Sequence, residues 1–132
     1  MFFEYTLTVP ANTPATAPMT DTVELAVGTI VGVHVQFPRG CVGLVHVQIW
    51  REQHQVWPVN LDGNIAGENA IISWEDEYDL DDKPFHLTLR GWNLDDSFPH
   101  TVTFRFNLLS ADQAAQARSP RTALLPAAAS LG

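Results

Sequence analysis

The segment TVTFRFNL at residues 101–108 alternates apolar and polar side chains without a break. Successive side chains of a β-strand point to opposite faces, so this alternation is typical of a strand with only one face buried. Antiparallel sheets commonly have one covered and one solvated face. Similar alternation begins near Phe3, Val31, Val45 and Phe85, and it places Val31 on an inward face and Arg90 on an outward face. The chain is therefore predicted to be all-β.

The alternating segments are separated by glycine, proline and asparagine residues that favour turns. About eight strands at this spacing predict a single antiparallel β-sandwich with jelly-roll-like connections. We expect it to occupy residues 1–109, with a proline-rich arm or loop at 10–20 whose Pro10, Pro14 and Pro18 are candidate contacts with a partner. Within it, residues 70–74 are predicted to form a strand and residues 75–83 an acidic connection.

Residues 110–132 are predicted to form an extended or partly disordered tail, because they are rich in Ala, Ser and Pro. Only residues 111–117 favour a helix, and seven residues make a marginal one in water. The tail also contains three leucines that the sandwich core does not need. We therefore expect the tail to dock on another subunit, with contacts at Leu124, Leu125 and Leu131.

Composition excludes several classes of partner. Fifteen acidic and seven basic residues give a net charge of −8, which opposes binding to nucleic acid or to anionic lipid. No stretch of about 18 apolar residues is present, so a membrane-spanning helix is not expected. We predict a soluble, non-secreted chain of one domain.

Candidate metal ligands are present, but none has the spacing of a known motif. His34, His46 and His86 fall on the polar faces of predicted strands, where they either converge on a metal or serve as ordinary outward residues. The acidic segment at residues 75–82 has enough oxygens for Ca²⁺ but lacks the pattern of an EF-hand loop. The outward-residue and solvated-loop interpretations are favoured, and no metal or cofactor is assigned.

No catalytic motif stands out, so we predict a protein that is not an enzyme. The single cysteine, Cys41, has apolar neighbours and is interpreted as a small buried residue rather than a nucleophile. Trp50 lies on the polar face of its predicted strand. It is therefore a candidate contact with a partner, or part of a ligand platform with the other tryptophans.

Four segments resemble the small β-sandwich structural proteins of tailed-bacteriophage virions. They are YTLTVPANTP at 5–14, VQFPRGCVGL at 35–44, LRGWNLDD at 89–96 and HTVTFRF at 100–106. The resemblance extends over residues 3–109 and is one of general character. It implies a capsid decoration, or cement, protein on the surface of the virion, made in the host cytoplasm. Such proteins are usually homo-oligomers, often trimers, that bind the major capsid protein.

Two alternatives stay open at this point. One is another structural part of the same particle, such as a head–tail connector, a tail protein or a fibre-base protein. The other is a carbohydrate- or calcium-binding β-sandwich module, which would use the tryptophans or the acidic segment. In either reading the chain binds and does not catalyse.

Overall fold

The fold is described from a computed structural model, which describes residues 1–117. Within that range the chain forms nine β-strands. In chain order they are β1 (Phe2–Val9), β2 (Met19–Glu24), β3 (Gly28–Phe37), β4 (Val45–Arg51), β5 (His54–Trp57), β6 (Ile65–Ala66), β7 (Ala70–Leu80), β8 (His86–Asn93) and β9 (His100–Leu109).

The strands form two antiparallel sheets that pack as a sandwich. Sheet A has the order β1-β9-β3-β7, and sheet B has the order β2-β8-β4-β5, with the short β6 also paired to β4. Successive long strands cross from one sheet to the other, which is the connection pattern of a jelly roll. The predicted all-β, jelly-roll-like sandwich is confirmed.

The core lies between the inner faces of the two sheets. Strand β9 shows the reason: Val102, Phe104, Phe106 and Leu108 are fully buried, while the residues between them face outward. Burying one aliphatic or aromatic side chain contributes about 1.5–3 kcal/mol, so the alternating pattern itself selects which face turns inward. No helical segment among residues 1–117 is long and apolar enough to cross a membrane.

Two details of the predicted strands are wrong. The inward set of β3 was expected to include Val31, but an irregularity in the pairing between Ile30 and Gly32 turns Ile30 inward and leaves Val31 half-buried. The acidic connection was expected to begin at residue 75, but β7 continues to Leu80. Tyr78 pairs with Ile30 and Leu80 is fully buried, so core packing holds the acidic segment in the sheet.

The segment after β9 is helical over residues 111–117. Its start carries a reciprocal cap: the Gln113 N–H donates to Ser110 Oγ at 3.1 Å, and the Ser110 N–H donates to Gln113 Oε1 at 2.9 Å. Ala114, on the next turn, is buried against the body. The remaining tail residues, including Leu124, Leu125 and Leu131, lie outside the described part of the chain.

Four loops meet at one end of the sandwich. They are residues 10–18, 38–44, 67–69 and 94–99, which join the ends of strands that the pairing places side by side. Backbone hydrogen bonds connect them, for example from Leu94 N–H to Leu44 C=O at 2.9 Å and from Asn12 N–H to Asp95 C=O at 2.8 Å. We call this set of loops the four-loop end.

Candidate functional site

The four-loop end exposes three large apolar side chains. Val42 is 68% exposed, Leu94 is 56% exposed and Phe98 is 66% exposed. Val42 lies in loop 38–44, and the other two lie in loop 94–99. We call these three residues the apolar tip. Isolated apolar residues are common on protein surfaces, but several of them on linked loops are typical of an interaction site.

Glu68 fixes the conformation of loop 38–44. Its Oε1 accepts the Val42 N–H at 2.8 Å and the Gly40 N–H at 3.0 Å. These backbone hydrogen bonds, from Val42 first and then Gly40, lower the pKa of the Glu68 carboxyl below its ordinary value. Val42 itself has φ of 50°, a left-handed conformation that a β-branched residue rarely adopts. The loop is therefore held in a strained shape that presents the Val42 side chain.

Asp95 and Asn93 fix loop 94–99 in a similar way. Asp95 Oδ2 lies 2.8 Å from His100 Nε2, and its Oδ1 accepts the Ser97 N–H at 2.9 Å. The hydrogen bond with His100, followed by the one from Ser97, lowers the pKa of the Asp95 carboxyl. The buried Asn93 side chain donates to Phe98 C=O at 2.9 Å. The backbone that carries Leu94 and Phe98 is therefore preorganised.

A second candidate surface lies on the outer face of sheet B. Trp50, Arg90 and Trp92 line an open pocket of about 320 Å³, together with Gln48 and Asp62. The guanidinium of Arg90 lies 4.6 Å from the centre of the Trp50 ring, a cation–π contact. We call this surface the aromatic groove.

The loop at residues 58–64 holds both tryptophans of the aromatic groove in place. Gln48 donates from Nε2 to Gly63 C=O at 2.8 Å and accepts the Trp50 Nε1–H at 3.0 Å. On the other side, His46 Nδ1 lies 2.8 Å from Asn64 Oδ1, and its ring stacks on Trp92 with centroids 5.5 Å apart. These contacts fix the orientation of both indole rings on the outer face of sheet B.

The structure brings some of the predicted contact residues together and separates others. Pro10 and Pro14 are exposed in loop 10–18, so they belong to the four-loop end, and Pro18 is half-buried where that loop joins β2. The loop is not a free arm, because Thr13 pairs with Asn93 of β8. Trp50 lies on the outer face of sheet B, as its position in the alternating pattern predicts.

The three outward histidines do not converge within the described chain. His34 lies on the outer face of sheet A, whereas His46 and His86 lie on sheet B. On sheet B, His46 pairs with Trp92, which is six residues along β8 from His86 and thus about 20 Å away. His86 instead lies 3.6 Å from Glu24 and 3.7 Å from Glu52.

The acidic segment lines an open depression of about 1000 Å³ on the outer face of sheet A, together with His34 and Phe2. Its carboxylates spread along a strand and do not surround a common point. Among residues 1–117, no group of three or more His, Cys, Asp or Glu side chains is placed to hold a metal ion.

Cys41 is fully buried in the core, as predicted. Burial raises the pKa of its thiol, and the nearby Glu68 and Asp95 carboxylates add to that shift. A raised pKa favours the protonated thiol, which is a poor nucleophile. The cysteine therefore serves the packing beneath the four-loop end.

The apolar tip and Arg90 were not identified from the sequence. Val42, Leu94 and Phe98 lie in loops, where no periodic pattern distinguishes an exposed apolar residue from a buried one. Arg90 was recognised only as an outward residue of its strand. Its relation to Trp50 depends on the pairing of β4 with β8, which sequence alone does not supply.

Comparisons with known proteins add no family to this description. The chain matches no protein-family model, and a search of curated proteins finds no significant match.

Proposed function

We propose that this chain is a non-enzymatic virion structural protein, a capsid decoration protein that binds the major capsid protein through its apolar tip. The observation that carries the proposal is the exposure of Val42, Leu94 and Phe98 on loops that Glu68 and Asp95 hold rigid. The resemblance of residues 3–109 to virion β-sandwich proteins supports the choice of partner.

Preorganised loops suit a protein that must bind a fixed surface many times on one particle. Because the loops are already ordered, little conformational entropy is lost on docking. Apolar side chains at the centre of an interface contribute most of the binding energy when polar groups surround them. Here the neighbouring loop residues, such as Asn12, Asp96 and Ser97, are polar and exposed.

Stabilisation of the capsid would follow from mass action. A protein that binds the assembled shell and not its free subunits shifts the equilibrium towards the shell. The size of this shift grows with the ratio of the free protein concentration to its Kd.

The protein would be made in the host cytoplasm and would then lie on the capsid surface. We also propose that the protein forms a homo-oligomer, with a trimer favoured. Native mass spectrometry of the isolated protein would test this.

Co-sedimentation with phage heads tests the role and the surface together. Purified protein is mixed with expanded heads built from the major capsid protein of the phage that encodes it. We expect saturable binding by the wild type and binding at least about tenfold weaker for the triple variant Val42→Ser, Leu94→Ser, Phe98→Ser. The control is Val59→Ser, since Val59 is 82% exposed but lies in loop 58–64.

Two results would contradict the proposal. If the wild type does not sediment with heads, the decoration role is wrong. If the triple variant binds as tightly as Val59→Ser, the apolar tip is not the docking surface.

A truncation after residue 117 tests the predicted tail contacts separately. The melting temperature of the body should stay the same, because the described core lies within residues 1–117. Binding to heads should weaken, because the predicted tail contacts are removed.

A further inference from the structure

Arg90 has hydrogen-bonding capacity that the protein does not use. Its Nε atom is buried and has no hydrogen-bond partner within residues 1–117, and its guanidinium makes no ion pair there. A buried donor without a partner costs about 1–3 kcal/mol, and a ligand hydrogen bond would remove that cost once the side chain turns its Nε–H into the groove. The cation–π contact with Trp50 places the guanidinium of Arg90 in the wall of the aromatic groove.

We infer that the aromatic groove is a binding site for a neutral saccharide. The apolar ring faces of a sugar stack on indole rings, and its hydroxyl groups pair with planar polar side chains. The groove offers both: Trp50 and Trp92 supply the indoles, and Arg90 and Asp62 supply a donor and an acceptor. A volume of about 320 Å³ lies at the lower end of the range for ligand pockets.

The spacing of the two tryptophans fits more than one sugar ring. Trp50 pairs with Thr88 of β8, and Trp92 pairs with His46 of β4, so the two indoles lie four residues apart along neighbouring strands. Four residues of a strand span about 13 Å. An oligosaccharide laid diagonally across the two strands would reach both rings and pass over Arg90.

The charges of the groove favour a neutral ligand over an anion. Arg90 is the cation, and the exposed Asp62 carboxylate lies on the same pocket wall, in a chain of net charge −8. A ligand with both hydroxyl donors and hydroxyl acceptors satisfies the two groups together, whereas a carboxylate or phosphate would be repelled by Asp62.

A peptide is a poorer match for this surface. Strands β4 and β8 are inner strands of sheet B, so most of their backbone groups over the groove are already paired on both sides. A peptide strand cannot be added there, because strand addition needs a free sheet edge. The ligand must be recognised by side chains alone.

NMR titration of the isolated protein tests this inference independently of capsid binding. Separate trisaccharides of glucose, mannose, galactose and N-acetylglucosamine are the probes. We expect at least one to shift the Arg90 Nε–H and the Trp50 or Trp92 Nε1–H resonances. Arg90→Gln and Asp62→Asn should each weaken that binding by about tenfold or more, since each replaces a charged hydrogen-bonding group by a neutral amide.

Arg105→Gln is the matched control, because Arg105 lies on the outer face of sheet A and pairs with Glu4. It should bind the same trisaccharide as the wild type does, and thermal melts establish that all variants are folded. The inference is overturned if none of the four probes shifts these resonances, or if Arg90→Gln binds unchanged. A response to a glutamate-rich peptide alone would make the groove an anion site and would also overturn it.

Discussion

Val42 shows how one residue is kept in an unfavourable conformation. A left-handed backbone costs an ordinary residue about 1–2 kcal/mol, and the branched Cβ of valine makes it less favourable still. The hydrogen bond from its N–H to Glu68 opposes that cost. Strain of this kind persists where the surrounding structure enforces it, often at functional sites. At Val42 it places an apolar side chain in solvent at the four-loop end.

Val42→Asn should therefore raise stability while it weakens docking. Asparagine tolerates φ near 50° better than valine does, so we expect the free energy of unfolding to rise by up to about 1 kcal/mol. Urea denaturation measures the change, and Val59→Asn serves as control because Val59 has no positive φ. A clear loss of stability in Val42→Asn would show that the valine side chain is itself a structural contact.

Elements of this fold differ in how far their sequences determine them. Strand β9 was predicted correctly because its inward residues alternate without interruption. Strand β7 was predicted too short because Glu75, Asp76 and Glu77 suggested a loop. In the structure, Trp57 of β5 in sheet B donates to Asp76 of β7 in sheet A at 2.8 Å, and Tyr78 packs on the core. These are long-range contacts between strands, and local propensity does not encode them.

The same limit applies to the two candidate surfaces. The outward position of Trp50 follows from the period of its strand. Its neighbours in the aromatic groove, Arg90 and Asp62, come from a different strand and a distant loop. The apolar tip depends on which loops meet at one end, and that is a property of the strand order.

Strand β8 carries a glycine where the two sheets approach closely. A Cβ at Gly91 would lie 2.9 Å from Val9 Cγ2 and 3.1 Å from Leu7 Cδ2. Gly91→Ala should lower the free energy of unfolding by about 1–3 kcal/mol, because neither buried neighbour has room to move away. Chemical denaturation would measure this.

Gly32→Ala is the control for that substitution, since its added Cβ would meet only Asn107 Cβ at an ordinary 3.7 Å. Its stability should match the wild type or rise slightly. Equal stability of the two alanine variants would mean that the sheets separate easily near Gly91.

At the scale of the whole molecule, the four-loop end depends on ionised carboxylates. The folded pKa values of Glu68 and Asp95 both lie below their ordinary values, near 4.5 and 3.8. Each group therefore stabilises the fold above its ordinary pKa, and this contribution is lost as pH falls through the lower, folded pKa. We expect acid to loosen the four-loop end.

Glu68→Gln should reveal this dependence. The variant should melt at a lower temperature than the wild type at neutral pH, and the difference should shrink as pH falls below about 4. Thermal melts across that range provide the measurement, with Glu75→Gln as control because the Glu75 carboxylate is exposed and accepts no hydrogen bond within the described chain. A constant difference at every pH would show that shape, and not charge, is what Glu68 contributes.

The position of β9 in sheet A sets the order in which the chain can be completed during synthesis. Strand β1 has β9 as its ladder partner, with Val9 opposite His100, and β9 also separates β1 from β3. On the ribosome, β1 emerges long before β9 is made. Its backbone N–H and C=O groups have no ladder partner until then, and pairing over such a separation in sequence is slow. The nascent chain is therefore most prone to aggregate just before residue 100 emerges, when chaperone binding would matter most.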